Sequence, residues 1–460
     1  MSRGTSMAPV TACSVYGPSK LRCWCTQPSQ KRHELDSSPL STSVGMRPTQ
    51  KLTAGSDGGV HIMDNKAMSR QRVAKQQSGN ARNDGDEKIA GDEELSSRKS
   101  ALSMIACVLA GITFGFAVEK GRVFEPAAVR GQMSFSRFIM LKMFLSAVAT
   151  GMVGMSIVSM LPFGKPKFDQ MRVRFFRKFV GKRGVLAAGL GGFIHGVGMT
   201  ICASCPGVLY IQLGTGTPNA VLTLCGALSG AFLYGMVELT VVRLSKPGAV
   251  ACSNTLDQFL GTPYFVAALP IAAMLATCVF ALELFQPWGS DLTQPNSAVA
   301  SALELRAWPP YLSGMLAGSV QGVLVLTLGD VIGSSTSYAA LASLVLVTEK
   351  MERLSPYLRS YKRSPAAWAQ VLFCLSSVLG GFLSASFSGA YGTVPGVTGL
   401  AAYLGGVIMV FGARTASGCT SGHGLSGSGI LFLLSFVVLP AMYLGGVLTA
   451  AVMSVLQGQV

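Results

Sequence analysis

The sequence predicts an all-α, polytopic membrane protein. Half of its 460 residues are hydrophobic and only 13% are charged, roughly half the charged fraction of a soluble domain. From Ala101 onward the apolar residues gather into long blocks separated by short charged loops. A helix of about 20 apolar residues crosses a hydrocarbon core of about 30 Å. Only helices and closed barrels satisfy their own backbone groups there. The blocks are continuous and rich in Leu, Ala, Val and Gly, and they do not alternate in short strands, which argues against a barrel.

Nine spans follow, near 102–118, 138–162, 184–212, 218–242, 263–286, 310–329, 367–388, 397–416 and 430–456. The stretch Tyr311–Val347 carries one charge, Asp330, and is interrupted by Gly329, Gly333 and the run Ser334-Ser335-Thr336-Ser337. It reads as a span followed by a re-entrant half-helix, backbone that is tolerated only where protein buries it or it lines a cavity. Residues 1–100 are rich in Ser, Gln, Gly, Lys and Arg without an apolar period, and read as a disordered tail. Their start holds Arg3, Lys20, Arg22, Lys31 and Arg32 with no acidic residue before Glu34, like an organellar transit peptide. A solvated cytosolic tail is the plainer alternative. The chain thus divides into the tail, a first transmembrane set (101–245), a connecting span and loop (246–309) and a second set (310–460).

The net charge of +16 does not point to nucleic acid, because the basic residues sit in the tail and the inter-span loops. The segment Lys165–Arg183 holds Lys165, Lys167, Arg172, Arg174, Arg177, Lys178, Lys182 and Arg183 against Asp169 alone. Glu349–Arg363 holds Lys350, Arg353, Arg359, Lys362 and Arg363, and Arg243 with Lys246 flanks a third loop. Nine spans put all three on one side, so the positive-inside rule places the N-terminus in the cytosol. The plasma membrane is favoured, with an organellar membrane as the alternative.

An internal repeat runs through the spans. Gly191-Gly192, Gly198 and Cys205 have the same spacing as Gly405-Gly406, Gly412 and Cys419. Leu109, Gly111 and Gly115 recur as Leu312, Gly314 and Gly318, and Leu213-Gly214-Thr215-Gly216 answers Ser426-Gly427-Ser428-Gly429 with one residue of slippage. The odd span between the two halves inverts the second. Inverted repeats with broken helices are a transporter architecture, with substrate near the midplane where they meet.

Two segments carry the chemistry. In the first, Gly198 precedes Ser204, Cys205, Pro206 and Gly207, and the Pro-Gly pair stops the helix. A half-helix that follows would turn its positive end to the site and suit an anion. The second runs from Gly412 through Arg414, Gly418, Cys419, Thr420 and Ser421 to His423. Small residues also serve plain helix packing, but a cysteine stands at the same break in both. Arg414 could attract an anion or snorkel to an interface. His195 reads as packing, Glu119 as an internal partner of Lys120 or Arg122, and Cys107 and Cys374 as small apolar fillers. Cys202 and Cys205 form a C-x-x-C pair, but it lacks a thioredoxin-like context and two further zinc ligands, so no metal or cofactor is expected.

These segments resemble the YeeE/YedE family of bacterial thiosulfate transporters, the sulphur-transport domain family. The resemblance rests on Gly198…Cys205-Pro206-Gly207…Gly214-Thr215-Gly216, on Gly412…Gly418-Cys419-Thr420-Ser421-Gly422-His423, and on Ala117–Val123 at the end of the first span. It covers about 102–456. It implies that thiosulfate, or a related small sulfur anion, passes along a narrow cysteine-lined path without a large rocking motion. Cys205 and Cys419 then hold two of the path positions, and a soluble sulfurtransferase-like partner is expected. The chain departs from the pattern at 329–338, where a further cysteine would fall and Ser334 and Ser335 stand instead. Thiols suit such a path because they are weak donors on a polarizable group, and weak sites let an ion leave.

Two alternatives differ in substrate or class. Sulfite or a selenium species would use the same fold. A membrane enzyme relaying sulfur as a persulfide on Cys205 or Cys419 would need a general base that the sequence does not offer. No G-x-x-x-x-G-K-[ST] run occurs, so ATP does not drive the chain through a P-loop.

Overall fold

In a computed structural model the described residues are 101–179, 184–245, 254–294, 296 and 301–456. The N-terminal tail, its basic start, and Lys182, Arg183 and Lys246 lie outside them. The chain enters the bundle through α1 (Ala101–Lys120), the short α2 (Pro126–Met133) and α3 (Ile139–Met160). Then come α4 (Lys165–Phe179), α5 (Val185–Cys202), α6 (Val208–Gly214) and α7 (Ala220–Leu244). A connecting pair, α8 (Leu256–Leu260) and α9 (Tyr264–Phe285), leads to α10 (Pro310–Leu328), α11 (Ser335–Val345), α12 (Glu349–Leu354) and α13 (Pro356–Lys362). The bundle closes with α14 (Pro365–Phe387), α15 (Gly399–Thr415), a π-helical segment (Thr420–Gly427) and α16 (Ser435–Leu456).

Among the described residues, eight helices are long and apolar enough to cross a membrane: α1, α3, α5, α7, α9, α10, α14 and α16. α15 and the π-helical segment, bent by 45°, form a ninth if the pair is one span. The fold is therefore the all-α polytopic bundle that the hydropathy predicts.

Local chemistry sets the ends. Pro310 and Pro365 open α10 and α14 at the position where a missing N–H costs nothing. Gly329, at φ +60°, closes α10 in the left-handed conformation that glycine adopts freely. Two details differ from the sequence reading. The predicted span 184–212 is two helices, α5 and α6, because Ala203 turns left-handed at φ 50°. The last span starts at Ser435, not near 430, because Leu431 is left-handed and Phe432 bridges to Thr255. After α10 comes the short helix that the sequence reading expects, α11, whose 11 residues reach about 16 Å, too short to cross.

The basic loop after α3 is a helix, α4, which the charge run had hidden. Phe168, Met171 and Phe175 are buried while Lys165, Lys167 and Arg174 are exposed. Arg172 turns inward and pairs with Asp257 at 2.9 Å, beneath the rings of Phe168 and Tyr264. Lys167 donates to the Leu326 carbonyl at 2.5 Å, and Arg174 to Leu328 at 3.3 Å, so α4 caps the end of α10.

Buried charges fasten the opposite elements. Arg122 pairs with Glu119 at 2.7 Å and Glu125 at 2.6 Å, and Ser384 of α14 donates to Glu119. Lys120 instead donates to the carbonyls of Leu303 and Leu305, both at 2.8 Å. Lys142 of α3 pairs with Glu283 of α9 at 2.8 Å. Removing one partner of such a pair leaves an uncompensated charge and costs about 3–5 kcal/mol.

The central contact is between α5 and α15, which cross antiparallel with their backbones touching. A Cβ on Gly198 would strike the Met409 backbone, and one on Gly412 would strike His195. Gly191 abuts Thr415 and Ala416, and Gly405 abuts Cys202. These contacts come in matched pairs: each glycine touches the residue equivalent, in the repeated spacing, to the one its counterpart touches. The same matching appears where Gly111 meets Phe373 and Ser376 while Gly314 meets Met143 and Ser146. Gly412→Ala is therefore expected to lower thermal stability in detergent by the equivalent of about 1–3 kcal/mol, the usual cost of overpacking. Gly422→Ala, where a Cβ meets nothing within 4 Å, is expected to leave the melting midpoint unchanged.

Candidate functional site

The two helix breaks are built alike. α5 ends at left-handed Ala203 (φ 50°), two residues before Cys205, and α15 is followed by left-handed Ser417 (φ 66°), two residues before Cys419. Neither is glycine, so both backbones are held against a local preference by their surroundings. Arg130 of α2 caps the first break by donating to Thr200 at 3.1 Å and Ile201 at 2.8 Å. Gln212 donates to Ala203 at 3.1 Å and to Phe124 at 2.9 Å.

Three chain segments that begin new helical turns converge here. The Val208 N–H donates to Cys205 Sγ at 3.4 Å as α6 starts. Cys419 precedes the π-helical segment, and its Sγ lies 3.2 Å from Ser421 Oγ. Ser421 donates to Ser334 Oγ at 3.1 Å and accepts from the Ser334 N–H at 3.2 Å, where α11 starts. A methyl on Gly207 would stand 3.4 Å from Ser334 Oγ. The result is a compact cluster of thiols and hydroxyls facing helix starts, whose dipoles favour negative charge.

Two tyrosines lock the cluster. Tyr338 donates to the Pro206 carbonyl at 2.7 Å, and the Tyr210 hydroxyl lies 2.7 Å from Ser337 Oγ, with ring centroids 5.1 Å apart. Cys374 of α14 lies against Ser337 and Ser334. The sequence treated it as an apolar filler; the structure puts it beside the polar cluster, because α14 packs against α6 and α11.

Two cavities lie in this region. One, of about 70 Å³, is walled by Phe114, Val118, Met143 and Phe144 and ends on Cys205, Gly207, Thr420 and Ser421. The other, of about 250 Å³, is walled by Tyr357, Tyr361 and Glu238 and reaches Arg414, Thr336 and Ser417. Cys419 lies in the segment between Ser417 and Ser421, fully buried. Cys419 itself lines neither cavity.

Arg414 does not snorkel. It is 3% exposed and donates to Tyr357 OH at 2.6 Å, Tyr361 OH at 2.5 Å and Ser335 Oγ at 3.3 Å. Its guanidinium also stacks over both rings, 5.7 and 5.0 Å from their centroids. The tyrosines were missed in the sequence because they sit inside a charged loop. Their i, i+4 spacing on α13 was the available signal.

The other named residues take lesser places. Gly198 and Gly412 form the α5–α15 contact. Ser204 is buried and turned to the Cys205 carbonyl at 3.4 Å. His423 lies behind the second break, its Nδ1 3.1 Å from Ser435 Oγ and its Nε2 3.0 Å from the Ala416 carbonyl, and Gly418 leaves room for its ring. His195 spans α5 and α15, with Nδ1 2.7 Å from the Met409 carbonyl and Nε2 3.3 Å from Thr420 Oγ1. Cys202 turns away, its Sγ 3.8 Å from Met409 Sδ.

Comparison with known proteins bears on this arrangement. A family model described as sulphur transport matches residues 120–448. The chain belongs to this sulphur-transport family. The match takes in both breaks, the cluster and the two cavities' walls beyond Lys120. Over 355 residues the chain is 23% identical to the thiosulfate transporter TsuA of Escherichia coli (strain K12), covering 74% of this chain and 92% of that protein. It is 24% identical over 349 residues to the thiosulfate transporter TsuA of Spirochaeta thermophila, covering 72% and 93%. The family indicated by the two Gly…Cys segments is therefore the family to which the chain belongs.

The Arg414 geometry carries a direct prediction. Arg414→Lys loses the planar fork and with it a charge-assisted hydrogen bond to a half-buried phenol, so the folded protein should lose about 1–3 kcal/mol. Tyr361→Phe, which removes one bond, should cost less. Thermal unfolding in detergent, followed by the buried tyrosine signal, reads both.

Proposed function

We propose that this sulphur-transport family protein carries thiosulfate across its membrane, passing the anion through the cluster of Cys205, Cys419, Ser421 and Ser334. The observation that carries the reading is the cavity that ends on Cys205 and Ser421, with a second cavity that reaches Ser417, two residues before Cys419. The two thiosulfate transporters to which the chain is similar supply the substrate.

The chemistry suits a doubly charged, soft anion. Converging helix starts favour negative charge without a fixed cation at the narrowest point. Thiols and hydroxyls donate weakly and release readily. Ser334, hydrogen bonded to Ser421, fills the place where a third cysteine was expected. Arg414, held by two phenols, gives the larger cavity a positive wall without presenting a free fork that would trap the anion.

The two halves, α1–α7 and α10–α16, act in this reading as inverted repeats, and their matched glycine contacts support it. The breaks belong to a fixed crossing, so the anion moves and the halves do not rock. Basic loops on one side support a cytosolic N-terminus, with the plasma membrane as the favoured site. A soluble sulfurtransferase-like protein would take the delivered anion.

The test is uptake of sulfur-35 thiosulfate into proteoliposomes. Native protein should give saturable uptake, and Cys205→Ala and Cys419→Ala should reduce it to background while eluting as folded protein. Ser421→Ala, which breaks one link of the cluster, should slow uptake about tenfold, the rate equivalent of one hydrogen bond. Absence of uptake by folded native protein, with sulfite and selenium anions also inert, would overturn the reading in favour of a persulfide relay.

A further inference from the structure

A smaller cavity of about 20 Å³ adjoins the thiosulfate-side chamber that ends on Cys205. The two share Met140, Phe144 and Thr420 as walls. The small cavity is otherwise lined by Met133, Met199, Leu439 and Met442, with Gln132 and Tyr443. Four thioethers from four elements, α2, α3, α5 and α16, therefore meet at one point beside the path. Its size admits about one atom of water dimensions or slightly more.

One polar group in it is unsatisfied. Gln132 is 5% exposed, its Nε2 lies 2.5 Å from Tyr443 OH, and its Oε1 is buried with no partner. The amide orientation is assigned from its network: turned over, Oε1 accepts from the tyrosine hydroxyl and the N–H groups are left for an acceptor in the cavity.

Thr420 ties the pocket to the path. Its hydroxyl lies 3.5 Å from Met199 Sδ and 3.3 Å from His195 Nε2, and it walls both cavities. An anion seated on the Thr420 and Ser421 hydroxyls has this pocket directly alongside.

We propose that the methionine pocket is a subsite for the terminal sulfur of thiosulfate, and that it sets the preference for thiosulfate over sulfate. This rests on the thiosulfate reading above. The terminal sulfur is large, polarizable and less tightly hydrated than a sulfonate oxygen. Thioethers offer it polarizable contact and Gln132 offers one N–H. The sulfonate oxygens stay on the hydroxyls. Sulfate in the same pose would place an oxygen that needs several hydrogen bonds among methionines, with one donor at most, and the shortfall opposes binding.

The test measures competition against sulfur-35 thiosulfate uptake in proteoliposomes. In native protein sulfate should compete at least about 100-fold less well than unlabelled thiosulfate, and selenosulfate, with a softer terminal atom, should compete as well as thiosulfate. Met199→Leu/Met442→Leu, a nearly volume-conserving change, should narrow the thiosulfate-to-sulfate ratio about tenfold, and Gln132→Leu, which removes the one donor an oxygen could use, should widen it. The selenosulfate comparison needs no variant, so misfolding of a variant leaves the test intact. Sulfate competing as well as thiosulfate in native protein, or a ratio unchanged in folded variants, would overturn the subsite while leaving transport standing. No thiosulfate uptake at all would remove the transport reading itself.

Discussion

Backbone contact between α5 and α15 is the constraint on which the rest depends. In a membrane there is little hydrophobic drive between helices, so association rests on close packing and interhelical hydrogen bonds. Gly191, Gly198, Gly405 and Gly412 let the two helices touch along their length. His195 then bolts them by its bond to the Met409 carbonyl. Because the crossing is antiparallel and its contacts are matched, both helices must stop at equivalent depths. Each stops at a left-handed non-glycine residue two positions before a cysteine. The position of the thiols is thus a consequence of helix packing, and the strain at Ala203 and Ser417 is held by the same crossing.

Polar satisfaction explains the rest of the site. A break exposes backbone groups that lipid cannot satisfy, and here Arg130, Gln212, Tyr338 and His423 supply the partners. With these partners in place, Cys205, Thr420 and Ser421 are left to line the smaller of the two chambers beside the breaks. Arg414 follows the same logic. Its guanidinium donates to two phenols and a serine, which lets it stay buried.

Much of this was readable in the sequence, for identifiable reasons. Hydropathy located the spans because a bilayer demands a minimum apolar length. Pro206-Gly207 pointed to the first discontinuity, because proline removes a donor, while the left-handed turns themselves fall on Ala203 and Ser417, which no local signal marks. The repeated Gly-Gly…Gly…Cys spacing pointed to the two segments that meet. What stayed hidden depends on long-range contact. Nothing in the charge run 165–183 showed that Arg172 turns inward to Asp257 while Lys167 and Arg174 cap α10. The role of Cys374 depends on α14 meeting α11. The methionines of the small pocket lie on four separate elements, so no local pattern joins them.

A transporter with a fixed path differs physically from one whose halves rock. Gly189 of α5 and Val437 of α16 offer a direct discrimination, since a Cβ on Gly189 would lie 3.8 Å from Val437 Cγ1 and the position has room. A disulfide between Gly189→Cys and Val437→Cys would tie the first half to the second. Thiosulfate uptake measured before and after oxidation tests the central claim. A fixed crossing predicts the same uptake with the bridge closed as with it reduced. Uptake that is lost on oxidation and restored by reductant would contradict it and show that the halves must move.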